Sequence, residues 1–532
     1  MRGVTVGKLF RVWKTLRWPL RVGLPIGLLL ISAASAWAIV TNLTRVEELH
    51  DGAAVALHVD QAELNALVQS GQNAAAFEQA FEEGDELFDV QFNALDGVGA
   101  NVGRGQRFTR VPRADLRGTG EWFRHTPARA TGPNAANCTA CHQPPFDGAG
   151  ETSANVHRDP LRNGQLGQFI QRNTPHLFAP GAVQVLAEEM TEELHAIREA
   201  ARVAACQSGA NMRTLTAKGV AFGTIVANRT VVNPCTVTFD TANVQGVSAD
   251  LVIRPFQWKG SVNTIRDFSR GAFHNELGMQ AVEITGDNVD GDFDNVRNEI
   301  TIGDMTAMSV YLAAQPRPTS LQELASLGLI PALPAAQNNA INAGRTVFTQ
   351  IGCASCHVAQ FTINDPVFFE PSQNANYRDA TFPAGQNPVQ RGVSPTTAVR
   401  FNLTTDPPDN RVAIPNSNGS LLGSLRRDAQ GRGIIELFGD LKRHNMGTGL
   451  AEAVDEVGTG ASTFLTENLW GVGTTAPYMH DGRSTTLTEA ILEHSGEAQD
   501  AFNAFNNTSA TNRANLIAFL SNLVLFEVPV PE

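Results

Sequence analysis

No acidic residue precedes Glu47, no basic excess marks the chain, and only six cysteines occur in its 532 residues. Low-complexity tracts and short tandem repeats are absent too. A formal net charge of −13 at pH 7 argues against a nucleic-acid partner, whose phosphates need a basic footprint. It suits a soluble protein that meets small substrates or basic redox partners. With 42% hydrophobic and 17% charged residues the composition is that of a globular chain, long enough for two or three domains.

The acid-free start is basic, with Arg2, Lys8, Arg11, Lys14, Arg17 and Arg21 ahead of an apolar run from Val22 to Val40. The run ends in Ala36-Trp37-Ala38, a small-residue pattern of the kind cleaved after a secretory signal. It is also nearly long enough to span a bilayer, with its basic flank on the cytoplasmic side. Residues 1–40 therefore read as a signal peptide or a membrane anchor. Either reading exports the remainder to the periplasm, with membrane contact only through this segment.

Four of the six cysteines fall in two Cys-x-x-Cys-His sequences, Cys138-Thr139-Ala140-Cys141-His142 and Cys353-Ala354-Ser355-Cys356-His357. Two thiols so spaced add to the vinyl groups of a haem, and the adjacent imidazole binds its iron. A zinc ribbon would need a second pair within a few tens of residues, and a thioredoxin-like site would occur once without the following histidine. The pattern thus implies two covalently bound haem c groups, with His142 and His357 as proximal ligands. The leftover Cys206 and Cys235 are expected to form a disulfide, which export permits.

Helical periodicity covers Glu63 to Phe88, Gly181 to Val203, Asn338 to Gln350 and Thr511 to Leu525, while alternating Thr and Val over 214–254 suggest a few strands. A Pro-containing connection, Gln315 to Pro334, reads as a domain boundary, and the Pro/Asn/Gly-rich stretch 364–433 as loops. The expected fold is mainly α, with two cytochrome c-like haem domains, long loops and a small β insertion in the first. Their expected bounds are 45–330 and 335–532.

The stretch from Leu469 to Arg483, containing Tyr478-Met479-His480-Asp481-Gly482, and then Leu487 to Gly496 resemble the bacterial di-haem cytochrome c peroxidase superfamily. The closest likeness is to its di-haem oxidoreductase (thiol-oxidoreductase-like) branch. That likeness is carried by Asn173-Thr174-Pro175-His176-Leu177-Phe178, Phe256-Gln257-Trp258-Lys259, His444-Asn445-Met446-Gly447 and 491–498. It runs from about residue 85 to the C-terminus and is more specific in the second half.

The resemblance implies that the distal ligand of the second haem lies fourteen residues after His480, at His494, with Met446 as a competitor. It implies an open or loosely held distal face on the first haem. His157, fifteen residues after His142, stands near where peroxidases carry a displaceable ligand. It places an acid soon after residues 174–178, where Glu188 or Glu189 would move protons, unless both are ordinary helix glutamates. Trp258 would relay an electron between the haems or be a packed aromatic. Of the other histidines, His125, His157, His176, His195, His274, His444, His480 and His494, spacing alone selects none.

Asp290, Asp292, Asp294 and Glu299 alternate as in a calcium loop, although Asn295 stands where an EF-hand has glycine. The alternative is a solvated acidic turn. The expected activity is that of a peroxidase-type oxidoreductase. It would use hydrogen peroxide or dioxygen and a redox protein or small reductant as donor. A pure electron-transfer cytochrome and a dioxygen-dependent oxygenase of a hydrophobic substrate are the rival readings.

Overall fold

Two helices of this chain carry a glycine followed four residues later by a phenylalanine, and both use the pair in the same way. Helix α1 (Gln61–Gln69) ends at Ser70, and α2 (Asn73–Asp89) presents Gly84 and Phe88. A Cβ on Gly84 would stand 2.4 Å from Ala307 O, so only glycine lets α2 reach the later helix α5 (Ile302–Ala313). Phe88 then packs on Tyr311, ring centres 5.3 Å apart, and lies 6.4 Å from the His142 ring. In the second half, α6 (Ala335–Gln350) presents Gly344 and Phe348 to α8 (Ala510–Ser521). There a Cβ on Gly344 would stand 1.9 Å from Asn515 O, Phe348 packs on Phe519 at 5.4 Å, and the His357 ring is 6.4 Å away.

The computed structural model describes residues 54, 56–99, 128–130, 133–143, 155–163, 165–406 and 422–526. The leader and its cleavage pattern, His125 and most of 97–132 lie outside the described residues. Among the described residues, 56 onward form one compact unit, and no helix is long and apolar enough to cross a membrane.

Helix α5 is buried at all twelve positions, as its all-round apolar sequence requires, and Thr301 and Asp304 cap its start reciprocally. The long helix α3 (Pro180–Ser208) buries its N-terminal half and carries a three-stranded antiparallel sheet on its C-terminal half. That sheet is β3 (Ala210–Ala217), β4 (Val220–Val232) and β5 (Cys235–Asp240) in sequence order. A disulfide between Cys206 and Cys235 fastens the end of α3 to β5.

The expectation of a mainly α fold does not hold. The described residues are 36% helical and 17% strand, with helices and several small sheets mixed throughout. The described residues contain six sheets, five of them outside the expected insertion. Most of these strands have two to four residues, too short to show a two-residue alternation in sequence. Three of them, Val367–Glu370, Val399–Asn402 and Arg426–Arg427, fall in 364–433, where proline and glycine content suggested loops alone.

Candidate functional site

Helix α6 ends at Ile351, and the turn Cys353–Ser355 that follows is a single 3-10 turn. Its closing bonds run from Cys356 N and His357 N to Cys353 O, which puts the imidazole directly after the two thiols. His357 donates Nδ1–H to Phe438 O at 3.0 Å, leaving Nε2 as its lone-pair nitrogen. His494, at the end of α7 (Leu487–Leu492), is fixed in the same sense by a 2.7 Å bond from Nδ1 to Ala490 O. The two ring centres are 6.4 Å apart. Metal–imidazole bonds are about 2 Å long, so two imidazoles facing across one metal have centres roughly 6 Å apart.

Residues 438–447 bracket this pair. Phe438 O holds His357 and also accepts from Leu469 N. Asp440 accepts from His444 Nε2 at 2.9 Å, and His444 Nδ1 bonds Glu497 at 2.8 Å, three residues beyond His494. Asn445 N donates to the other Glu497 oxygen, and Ser495 Oγ to Met446 O. Burial opposes a charge on His444, but its bond to Asp440 outweighs that, with Cys356 adding to it, and pushes the imidazole up to about 10. Burial, with His494 nearby, pushes His357 down to about 4, so it is neutral and able to bind a metal. Phe438 also lines a cavity of about 420 Å³ with Arg317, Glu323, Arg345 and Trp470, but neither His357 nor His494 does.

The first attachment sequence has the same local geometry, with Cys141 N and His142 N both bonded to Cys138 O. Cys138 N donates to Phe88 O at the end of α2. Burial pushes the Cys138 thiol up to about 12 and the Cys353 thiol up to about 11. Redox-active Cys-x-x-Cys pairs have depressed thiols, so the thioredoxin-like reading is a poor fit to these sites. Paired thiols, an imidazole directly after each pair and, facing His357, a second imidazole at ligand distance form a donor set that fits haem c.

A carboxylate that the sequence did not single out stands beside the first site. Helix α4 (Ile265–Ala272) continues into a π-helical turn, Phe273–Leu277, of a kind often found at functional sites. Asn134 N and Ala135 N both donate to Glu276 O, and Asn134 Nδ2 donates to its carboxylate at 2.9 Å. Burial pushes Glu276 up, and Arg158 and Asn134 draw it only partly back. On the same turn His274 is 4% exposed, and Phe273 packs edge-on to Phe92. Nothing in the sequence Phe273-His274-Asn275-Glu276-Leu277 marks Glu276 as a proton-handling group.

The expected acids are held elsewhere. Glu189 pairs with Lys218 and accepts from Asn364 N and Asp365 N; Glu188 bonds Gln184 at 3.0 Å and Ser372 at 2.7 Å. Burial pushes Glu188 up to about 7, but among the described residues neither carboxylate is hydrogen-bonded to an attachment sequence. His157 lies in β1 (Asn155–Arg158), paired with Gln171 of β2 (Ile170–Asn173), and neighbouring Asn155 donates to Asp481 O.

Trp258 donates Nε1–H to Asn173 O at 2.9 Å, and Asn173 N donates to His480 O. His480 is buried and stacks on Phe464, ring centres 4.3 Å apart, and Lys259 Nζ lies 4.3 Å from the centre of the same Phe464 ring. His176 is half-buried and bonds Asn468 at 3.2 Å, and desolvation pushes it down to about 4. The acidic loop brings Asp290, Asp292 and Asp294 together, with one oxygen of each within 4.8 Å of the others. Burial and the Asp292 and Asp294 charges hold the nearby Glu299 far above the usual carboxylate range.

Residues 405–523 match the family described as "Di-haem oxidoreductase, putative peroxidase". The matched stretch contains His444, His480 and His494 and neither attachment sequence. No curated protein matches the chain. Among solved structures, a MauG-like protein associated with microbial copper homeostasis is 15% identical. The alignment covers 54% of this chain and 77% of that one, with a TM-score of 0.26, too weak a likeness to support any inference.

Proposed function

We propose that this chain is an exported di-haem c-type oxidoreductase of the peroxidase kind, with an electron-handling second site and a reactive first site. The observation that carries the reading is the 6.4 Å spacing of the His357 and His494 rings, each with Nδ1 tied to a backbone carbonyl. Such a pair would hold one haem through both imidazoles and would leave it no place for an oxidant.

At the first site, Cys138 and Cys141 would hold the group and His142 would be its proximal ligand. A haem held there would supply the binding and reduction of peroxide or dioxygen. Glu276, raised by burial and bonded to Asn134 four residues ahead of Cys138, would take a proton from the incoming oxidant and return it to the departing oxygen. Trp258, bonded to the strand that also holds His480, is the oxidisable side chain offered between the two halves of the sequence.

The Cys206–Cys235 disulfide supports an oxidising compartment, hence a periplasmic or periplasm-facing location. The oxidant would be hydrogen peroxide or dioxygen, and electrons would come from a redox protein or small reductant. The test is the ferric spectrum of the purified protein. One low-spin site and one site that responds to peroxide or cyanide are expected; two unresponsive low-spin sites would make the chain an electron carrier.

A further inference from the structure

Arg345 stands on α6 one residue after the glycine of the helix crossing, and among the described residues no carboxylate pairs with it. Its guanidinium carbon lies 5.8 Å from the Phe438 ring centre and 5.6 Å from that of Phe519. These two rings pack edge to face, 5.7 Å apart. All three side chains line the cavity of about 420 Å³, a volume within the usual span of small-molecule sites, roughly 300–1,000 Å³. The charged groups around that cavity are three guanidiniums and two carboxylates. Arg317 forks onto Glu323, and Arg426 Nη2 lies 3.0 Å from Glu436 Oε2. The unmatched positive charge is therefore that of Arg345. Glu436 Oε1 accepts no hydrogen bond among the described residues. Trp470, also in the lining, gives its Nε1–H to Pro318 O at 3.1 Å and so offers the cavity only apolar ring surface. Arg345 is exposed, and the cavity reaches solvent beside it.

We propose that this cavity binds a small hydroxylated aromatic carboxylate. Arg345 takes the carboxylate, Phe438, Phe519 and Trp470 take the ring, and Glu436 accepts from the hydroxyl. A planar guanidinium resting on aromatic rings is pre-organised for a bidentate carboxylate. A neutral aromatic would leave Arg345 unmatched, and an aliphatic acid would forgo the ring-on-ring contacts. The site also reaches the second attachment sequence. Phe438 O accepts from His357 Nδ1 at 3.0 Å, and Phe348 packs on Phe438 at 6.1 Å and lies 6.4 Å from the His357 ring. Neutralising Arg345 removes a positive charge from the surroundings of His357, which favours ferric over ferrous iron there. The bound anion therefore lowers the reduction potential of the second site, and by linkage the ferric protein binds the anion more tightly. The binding site stands independently of the proposed function; its effect on the second site rests on His357 as a haem ligand.

The holoprotein is titrated calorimetrically with para-hydroxybenzoate, with benzoate and the neutral para-hydroxybenzamide as controls. One saturable site is expected, at least tenfold weaker for the amide and at least tenfold weaker for the acid in Arg345→Gln. Arg345→Lys, which keeps the charge without the planar fork, should fall between Arg345→Gln and the parent. Glu436→Gln should narrow the preference for para-hydroxybenzoate over benzoate, and an unchanged preference removes Glu436 from the site. No saturable binding, or equal affinity in the parent and Arg345→Gln, overturns the site. Redox titration of the second haem with and without para-hydroxybenzoate tests the coupling. A lower potential is expected in the parent and no change in Arg345→Gln; an unchanged potential in the parent overturns the coupling. Failure of the proposed function would show elsewhere, as an unaltered spectrum in His494→Gly.

Discussion

His444 Nδ1 bonds a Glu497 carboxylate oxygen at 2.8 Å while its Nε2 bonds Asp440 at 2.9 Å. One charged imidazolium thus joins the segment that holds His357 to the segment that carries His494. Opening a buried pair of this kind costs about 3 kcal/mol or more. His444→Gln should therefore lower Tm and broaden or shift the low-spin signal of the second haem. Glu497→Gln, which keeps the volume, should do the same to a smaller degree. An unchanged low-spin signal in both would show that the bracket does not position His494.

The same residue sets an alkaline limit. Its imidazole is raised from an ordinary 6.5 to about 10, so its contribution is complete below about pH 6.5. That contribution is lost as the pH rises through about 10. Tm and the low-spin signal of the parent should fall together across that window, and His444→Gln should lack the fall.

Glu323 supplies an acid limit. Burial disfavours its charge, but the Arg317 guanidinium forks onto it at 2.9 and 2.6 Å and, with Thr319, pulls it down to about 2. A depressed carboxylate stabilises the fold above its unfolded pKa of about 4.5 and loses that contribution as pH falls toward 2. The gap corresponds to at most about 3 kcal/mol. Glu323→Gln should lower Tm at pH 7 and match the parent near pH 2; a constant difference at all pH values would exclude this ion pair as the cause.

Gly344→Ala should damage the second half selectively. The added Cβ would meet Asn515 O at 1.9 Å, with no flexible side chain to give way. Overpacking of this kind costs about 1–3 kcal/mol or more, felt at the crossing of α6 and α8. Thermal unfolding followed at the second haem should start earlier than in the parent. Equal Tm values would mean that the two helices separate freely.

Much of the site was legible from residue types and spacing. Cys138-x-x-Cys141-His142 and Cys353-x-x-Cys356-His357 state their chemistry in five consecutive residues. His494 followed from the family resemblance, which sets that ligand fourteen residues after His480, and Cys206 with Cys235 from being the cysteines left over. Glu276 was not legible, because what sets it apart is burial and its bonds with Asn134, made between segments distant in sequence. The helices of the two glycine–phenylalanine crossings were visible as periodic stretches, but their partners were not. Helix α2 meets α5 only after the whole β3–β5 excursion. The mainly α expectation failed on short strands such as Phe361–Ile363 and Val367–Glu370, whose pairing is set by neighbours rather than by their own pattern.

Glu276→Gln removes the proton-handling group and keeps its shape and its contact with Asn134. Stopped-flow mixing with hydrogen peroxide should show the first site reacting about 100- to 10,000-fold more slowly, the usual range for a lost general base. The His357/His494 signal should stay as in the parent. An unaltered rate would remove Glu276 from the account.

The inequality of the two sites is tested most directly by electron paramagnetic resonance of the ferric protein, before and after peroxide, in the parent and in His494→Gly. The account predicts one low-spin signal that is indifferent to peroxide and a second signal that peroxide changes. His494→Gly should convert only the indifferent one to high spin. A parent in which both haems are low-spin and neither responds, or a His494→Gly protein with an unaltered spectrum, would contradict it.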